Sequence, residues 1–428
     1  MAKSIFTQAK FNFIGHINYG QTPKVIQNAR KDGKGNLYKT KLGIGIKHNS
    51  SCPFLQMEVL HDGKEPEKIK VIGLDGKTLV EVPYNMTNTP EVMSRVADFT
   101  KITIDLETDF EKKKEYMGLI YKIRNHEFKV SELEKKKEYE GLTTEEEAEL
   151  EEHKAKIEIY KQEVSEKATN RHEFIMKDAI DFINENLPEM KKHKVRVLGD
   201  ARSNYYNDVN KFQYIPKIIE YVPNDTENQL KIEATVFFDK NSIIDKDKEK
   251  KILINGYVPE TKKKVTTLYP TLFVLDYNKL DLTLESHQSI LDFMKGTFKV
   301  KDKKSVYRVP LDIELIDGAE EKEFTEADLT KEQKQLIELG FNTIDDFKPK
   351  NKQFGENKVE YRMIKPILKD DFASGAVVSF ALKDLVSYLP KDESDASEDD
   401  TPNNNEQDVE DSSSNSNGVD LDALFGSK

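Results

Sequence analysis

A strand-rich α+β protein carrying a helical hairpin and an acidic tail is what this chain predicts, and three observations predict it. Short runs of period-two alternation fill residues 1–106 and return after 194. A Lys- and Glu-rich stretch of helical spacing separates them, and apolar residues nearly vanish after Pro390.

The first region contains Phe11-Asn12-Phe13-Ile14, the run Lys39 to Ile46 and the run Lys101 to Leu106, all with the alternation of half-buried strands. Turn formers lie between such runs, at Lys31-Asp32-Gly33-Lys34-Gly35-Asn36 and at Asp75-Gly76. A small antiparallel barrel or meander is expected.

From Glu107 the pattern becomes helical, with Met117, Ile120, Ile123, Val130 and Leu133 on one side. Glu140-Gly141-Leu142 interrupts it. The sequence Thr143-Thr144-Glu145-Glu146-Glu147 restarts it, with Thr144 as N-cap and Glu147 at the capping-box position. Leu150, Ile157, Tyr160 and Val164 give the second arm one apolar stripe, so residues 107–170 are expected to form an antiparallel helical hairpin inserted in the β body. A further helix, with Phe174, Ile175, Ile180 and Ile183 on its apolar side, is expected to end near Pro188.

Strand signals return at Lys194–Gly199, Phe212–Ile219, Leu230–Phe238, Ile252–Val258 and Thr271–Leu275, and a short helix capped by Thr330 and ended by Gly340 follows. These divide the chain into a β domain at 1–222, a second β-rich domain at 223–390 and a tail at 391–428. The tail has too little apolar surface to offset the entropy of ordering and is expected to be disordered. Its tip, Val419-Asp420-Leu421-Asp422-Ala423-Leu424-Phe425, has the composition of a docking peptide, with Leu421, Leu424 and Phe425 as the partner-binding residues.

Composition narrows the function. The 428 residues carry a net charge of −12, but the charge is segregated. Lys391 to Lys428 holds 12 acidic and 2 basic residues, and Glu107 to Asn170 holds 18 and 13; the remainder has 51 basic and 48 acidic, so the presumed folded body is slightly cationic and a basic groove on it is electrostatically feasible. One cysteine, Cys52, rules out an internal disulfide, and the eight histidines show no pair at ligand spacing, so no metal or other cofactor is expected. No membrane span, secretory signal or transit peptide is visible, which points to the cytoplasm.

Signatures of catalysis are missing too: no nucleophile elbow, phosphate-binding glycine loop, HExxH pair or dinucleotide fingerprint occurs. Asp105, Glu107 and Asp109 imitate a metal cluster, yet at a strand-to-helix junction they are expected to complement a helix dipole. A non-enzymatic binding protein is the reading. Its most informative stretch runs from Lys194 to Tyr221, where cations and aromatics share adjacent strands. Single-stranded nucleic acid needs flat rings for base stacking and cations for phosphates. Arg196, Arg202, Tyr205, Tyr206, Lys211, Phe212 and Tyr214 supply both, and Tyr38, Lys39 and Lys41 form a weaker version. Alternation allows Phe212 and Tyr214 to be core instead, and favours core for Phe11 and Phe13.

The segment Val195-Arg196-Val197-Leu198-Gly199, Tyr205-Tyr206-Asn207 and Lys211-Phe212-Gln213-Tyr214-Ile215-Pro216-Lys217-Ile218 resembles one found in single-stranded DNA-binding proteins of large bacteriophages. The acidic tail and its hydrophobic tip strengthen the resemblance, although this chain continues through Gly426, Ser427 and Lys428 without the usual terminal proline. It implies OB-like barrel domains, single-stranded DNA as ligand, and recruitment of replication or recombination proteins by the tail. The alternative is a structural or adaptor protein that uses hairpin and tail for protein contacts.

Overall fold

The computed structural model describes residues 6–20, 24–29, 36–49, 51–62, 68–73, 78–87, 89–97, 101–167, 169–206, 209–262, 265–300, 305–321, 324–349, 354–367, 378–381, 385 and 388–389. The 391–428 expectations and the turns at 31–35 and 75–76 lie outside these residues.

The chain is α+β and strand-rich. In order it forms β1 (Lys10–Gly20), β2 (Lys24–Ala29), β3 (Asn36–Lys47), β4 (Phe54–Asp62), β5 (Lys68–Ile72), β6 (Leu79–Pro83), α1 (Pro90–Arg95), β7 (Lys101–Asp105), α2 (Phe110–Tyr139), α3 (Thr144–Glu166), β8 (Arg171–Ile175), α4 (Met176–Met190), β9 (Lys194–Tyr206) and β10 (Val209–Tyr221). There follow β11 (Gln229–Phe238), β12 (Ile243–Lys246), β13 (Lys251–Lys262), β14 (Val265–Asp276), α5 (Glu285–Thr297), β15 (Ser305–Glu321), α6 (Lys331–Glu338), β16 (Phe354–Pro366) and β17 (Val378–Ala381).

Five of these strands close into a ring. β1 pairs with β3, β3 with β4, β4 with β10, β10 with β9, and β9 with β1; the β4–β10 pair is parallel and the others antiparallel. The ring is filled by alternate residues, among them Phe11 and Phe13 of β1, Leu42, Ile44 and Ile46 of β3, Leu55 and Met57 of β4, and Val195 and Val197 of β9. α4 supplies Ala179, Ile180 and Ile183 to the same core.

A second ring repeats this order. β11 meets β13, β13 pairs with β14, β14 with β16 in parallel, β16 with β15, and β15 returns to β11. β1 also pairs with β11, so the rings share a seam and one continuous core.

Closure needs close backbone approach. At Gly15, where β1 passes from β11 to β3, a Cβ would lie 2.3 Å from the Lys47 carbonyl oxygen. At Gly199, opposite the irregular register between Pro216 and Ile218, it would lie 2.1 Å from the Ile215 carbonyl oxygen and 2.7 Å from the Phe11 ring. A larger residue at either point would push strands apart.

Between the third and fourth strands of the first ring, β4 and β9, stand α2 and α3. Thr143, one residue before the expected cap, accepts from the Glu146 N–H while Glu146 accepts from the Thr143 N–H, completing a capping box. Ion pairs Lys154–Glu134 at 3.3 Å and Lys161–Glu127 at 4.0 Å link the two helices in opposite chain directions, with Leu119, Ile123, Leu150 and Ile157 buried.

The base of α2 is pinned electrostatically. Lys113 Nζ lies 2.7 Å from Glu220 and 3.6 Å from Asp105, and donates to the Tyr221 carbonyl at 2.8 Å. Arg196 also bridges Glu220, and Arg171 reaches Asp105 at 3.3 Å. Burial raises the Glu220 carboxyl, but Lys113 and Arg196 outweigh it and hold it below its usual range.

One expected element differs. Phe174 and Ile175 end β8 rather than beginning a helix, and α4 starts at Met176 and runs through Pro188 to Met190. The capped helix near the C-terminal side is present, with Thr330 accepting from the Gln333 N–H and Gly340 at φ +75°. Among the described residues no helix is long and apolar enough to cross a membrane.

Candidate nucleic-acid interface

Strand alternation sorts the expected binding residues into two sets. On β9, Val195, Val197, Ala201 and Ser203 are buried, so Arg196, Arg202 and Tyr206 face outward. On β10 Asn210, Phe212 and Tyr214 are buried in alternation, which sends Lys211 and Gln213 outward.

The stacking role expected of Phe212 and Tyr214 is corrected by their burial, at 7% and 5% exposure. Phe212 meets Tyr361 edge-on at 5.0 Å between centroids, and its N–H donates to the Tyr361 hydroxyl at 2.9 Å. Tyr214 packs edge-on against Phe11 and Phe13 at 5.5 and 4.8 Å. Both are core aromatics.

Tyr205 is half-buried and lies against Tyr269 of β14, 5.6 Å between centroids. This contact belongs to the junction between the rings, where Asn210 Nδ2 donates to Thr271 Oγ1 at 2.8 Å and the Ser203 N–H donates to buried Glu260. Arg196 belongs to the ion cluster at the base of α2. Tyr206, in contrast, is 74% exposed, opposite Val209 in the register, with Lys211 opposite Asn204 and Arg202 opposite Gln213.

The β3 candidates divide the same way. Thr40 and Leu42 are buried, so Lys39 and Lys41 face out, and half-buried Tyr38 lies on the opposite face of the pleat from both. Their outer wall holds more than the alternation suggested. Cross-strand partners share a face, so Lys24 and Ile26 of β2 join Lys41 and Lys39, and Glu58 and Leu60 of β4 join them from the other side. Farther along, Lys47 is exposed and Phe54, 47% exposed, stands opposite Gly45.

By the parallel register of Tyr214 with Leu55, Phe54 runs alongside Gln213, whose partner is Arg202. The wall is therefore continuous from β2 through β3 and β4 to the hairpin of β10 and β9. Lys47 and Lys211 approach one corner of it: Lys47 acts on Cys52, whose N–H donates to the Asp317 carbonyl at 2.9 Å, and Lys211 acts on the Asp317 carboxyl. Burial raises that carboxyl and Lys211 only partly opposes the effect.

Among the described side chains of the β2–β3–β4 wall, four are lysines, and one, Glu58, is a carboxylate that bridges Lys39 at 2.9 Å. Such a surface can hold a polyanion and offers an aromatic face to a planar group. Phe54, Lys24 and Lys47 escaped the sequence reading; the available signal was an aromatic that breaks alternation next to Leu55 and Met57.

The acidic trio has other duties. Asp109 caps α2 by accepting from the Lys112 N–H at 3.0 Å, Glu107 accepts from the Asp109 N–H, and Asp105 is buried with Lys113 and Arg171. No group of three or more His, Cys, Asp or Glu converges on a metal position among the described residues. Leu421, Leu424 and Phe425 lie outside them. Comparison with protein-family models, with curated proteins and with solved structures returned no match.

Proposed function

We propose that this protein binds single-stranded DNA without catalysing a reaction, through the outer wall of its first barrel, and that its acidic tail recruits replication or recombination proteins. The observation that carries the reading is Phe54, an exposed aromatic on the third strand of a five-stranded ring, opposite Gly45 and diagonal to Lys47 on a second strand that also carries Lys39 and Lys41.

The strand order supports it. Numbering only the ring members, each ring runs first, second, third, fifth, fourth, with third and fifth parallel, which is the order of an OB-fold. OB-folds bind oligonucleotides on the face of strands two and three and on flanking loops. We read 1–222 and 223–390 as two OB-like domains, the first interrupted by the hairpin at 107–170.

In this reading bases stack on Phe54, and on Tyr206 where the strand passes the β9–β10 tip. Lys24, Lys39, Lys41, Lys47, Lys211 and Arg202 track phosphates. Stacking on an aromatic side chain is sequence-tolerant because every base has a π-face, and a duplex buries those faces.

The test is fluorescence anisotropy of the full-length protein with labelled oligothymidine and with a duplex of equal length, over a range of salt. Tight binding to the single strand, weakened by salt, with little binding to the duplex is expected. Failure to bind either, or preference for the duplex, would overturn the reading.

A further inference from the structure

Two histidines from opposite helices meet midway along α2 and α3. His126 Nδ1 lies 2.9 Å from His153 Nδ1, with ring centroids 4.9 Å apart, and both side chains are half-buried. They are 27 residues apart in sequence, which is why no ligand spacing betrays them.

The surroundings hold both rings in place. His153 Nε2 faces Glu149 Oε1 at 3.5 Å, one helical turn away. A proton on Nε2 is then directed to that carboxylate, and the lone pair on Nδ1 is directed across the helix interface. A carboxylate behind the imidazole is the usual outer partner of a metal-ligating histidine. Tyr160 stacks on His126 at 5.8 Å and 27°, and Lys122 lies 5.2 Å above the Tyr160 ring, which fixes the plane of the second imidazole. Glu152, one residue before His153, acts on His126.

We propose that His126 and His153 bind a divalent transition-metal ion of the Zn²⁺ class through their Nδ1 atoms, with water completing the shell, and that the ion ties the two helices together. Zn–N bonds of about 2.0–2.1 Å at a tetrahedral angle put two ligand nitrogens roughly 3.3 Å apart, so a few tenths of an ångström of opening from the observed separation admits the ion. Imidazole suits zinc, copper and nickel, whereas a site for magnesium or calcium would need oxygen ligands. The proposal does not depend on the DNA-binding reading.

The test is calorimetric titration of the full-length protein with ZnCl₂, alongside a H126Q/H153Q double variant that retains the other six histidines. One more site in the wild type, of roughly micromolar affinity, is expected, together with a Zn²⁺-induced rise in the thermal midpoint that the double variant lacks. Glu149→Gln keeps both ligands and should weaken that site about 10- to 100-fold, which tests the idea even if the double variant folds poorly. Equal stoichiometry in wild type and double variant, or equal affinity in wild type and Glu149→Gln, would overturn the proposal and leave a shared proton between the rings as the account of their contact.

Discussion

Replacing Phe54 by alanine separates the proposed interface from the core more cleanly than any other change. Base–aromatic stacking is worth about 1–3 kcal/mol per base by alanine substitution. At 1.4 kcal/mol per tenfold, one lost stack weakens binding by roughly 5- to 100-fold. Phe54 is 47% exposed and stands over a strand, so its truncation forfeits little burial and should cost less than about 1 kcal/mol of stability. Phe212→Ala is the contrasting control: its ring is buried against Tyr361, and emptying that site should cost about 3–5 kcal/mol.

Salt distinguishes the two kinds of contact. Stacking releases no counterions, so Phe54→Ala should lower the affinity for oligothymidine at every salt concentration and leave the slope of log K against log salt unchanged. Lys47→Ala should reduce the slope by up to ~0.7, the amount for one phosphate of a single strand. Anisotropy titrations at four or five salt concentrations, with urea unfolding of each variant, decide the matter. Wild-type affinity in a folded Phe54→Ala protein would refute the assignment of this wall.

Other perturbations test the scaffold. Lys113→Ala leaves Glu220 and Asp105 with only Arg196 and Arg171, and should cost about 3 kcal/mol in urea unfolding, the lower end for breaking a buried pair because some partners remain. The Glu220 carboxyl sits below its unfolded value of about 4.5, so its contribution is fully present above that pH and lost as pH falls through the depressed folded value; acid titration of stability should be shallower in Lys113→Ala. Asp317 is the opposite case. Burial raises its folded value above the unfolded one, so its contribution is lost as pH rises through the folded value, and Asp317→Asn should raise the urea midpoint of the neutral protein while strengthening DNA binding beside Lys211. Gly199→Ala should destabilise by about 1–3 kcal/mol or more, read as a lowered thermal midpoint, because its Cβ meets the Ile215 carbonyl.

How much the sequence disclosed depended on whether a signal was local. β9, β10, β11, β13 and β14 were legible because one face of each is core, which imposes alternation on the residues themselves. Register was not, and register decided the site. Tyr205 and Tyr206 look alike in sequence, yet the pleat sends one to the junction with Tyr269 and the other to solvent. Ring closure was hidden as well, since the parallel contact of Leu55 with Tyr214 spans a long insertion. Phe54 was overlooked because β4 carries apolar residues on both faces, with Leu55 and Met57 inside and Phe54 and Leu60 outside, so alternation fails where the exposed aromatic stands. The helix start at Met176 was misjudged for a related reason: Phe174 and Ile175 fit either period, and Ile175 caps α4 without a side-chain hydrogen bond.

The two rings share a strand order but not a surface, and the difference argues for one binding wall rather than two. The wall of the second ring that corresponds to β3 and β4 is formed by β13 and β14, with β16 beside them. Ion pairs there join the cations Lys251, Lys358 and Arg362 to the carboxylates Asp276 and Glu360. Lys251 lies 4.0 Å from Asp276 and 3.9 Å from Glu360; Arg362 lies 3.8 Å from Asp276 and 2.7 Å from Glu360. With Lys358 also 3.2 Å from Glu360, three positive and two negative groups close on one another, and a phosphate approaching them would have to break those pairs as well as face their carboxylates. On the first ring the lysines of β2 and β3 outnumber their one described carboxylate, and Phe54 adds a ring to stack on. Lys251→Ala and Arg362→Ala should therefore leave oligothymidine affinity and its salt slope within about twofold of wild type, while each lowers stability modestly, by less than about 1 kcal/mol for a partly exposed pair. A reduced salt slope in either variant would mean that the phosphate path crosses the second ring, and that the charge cluster opens to admit it.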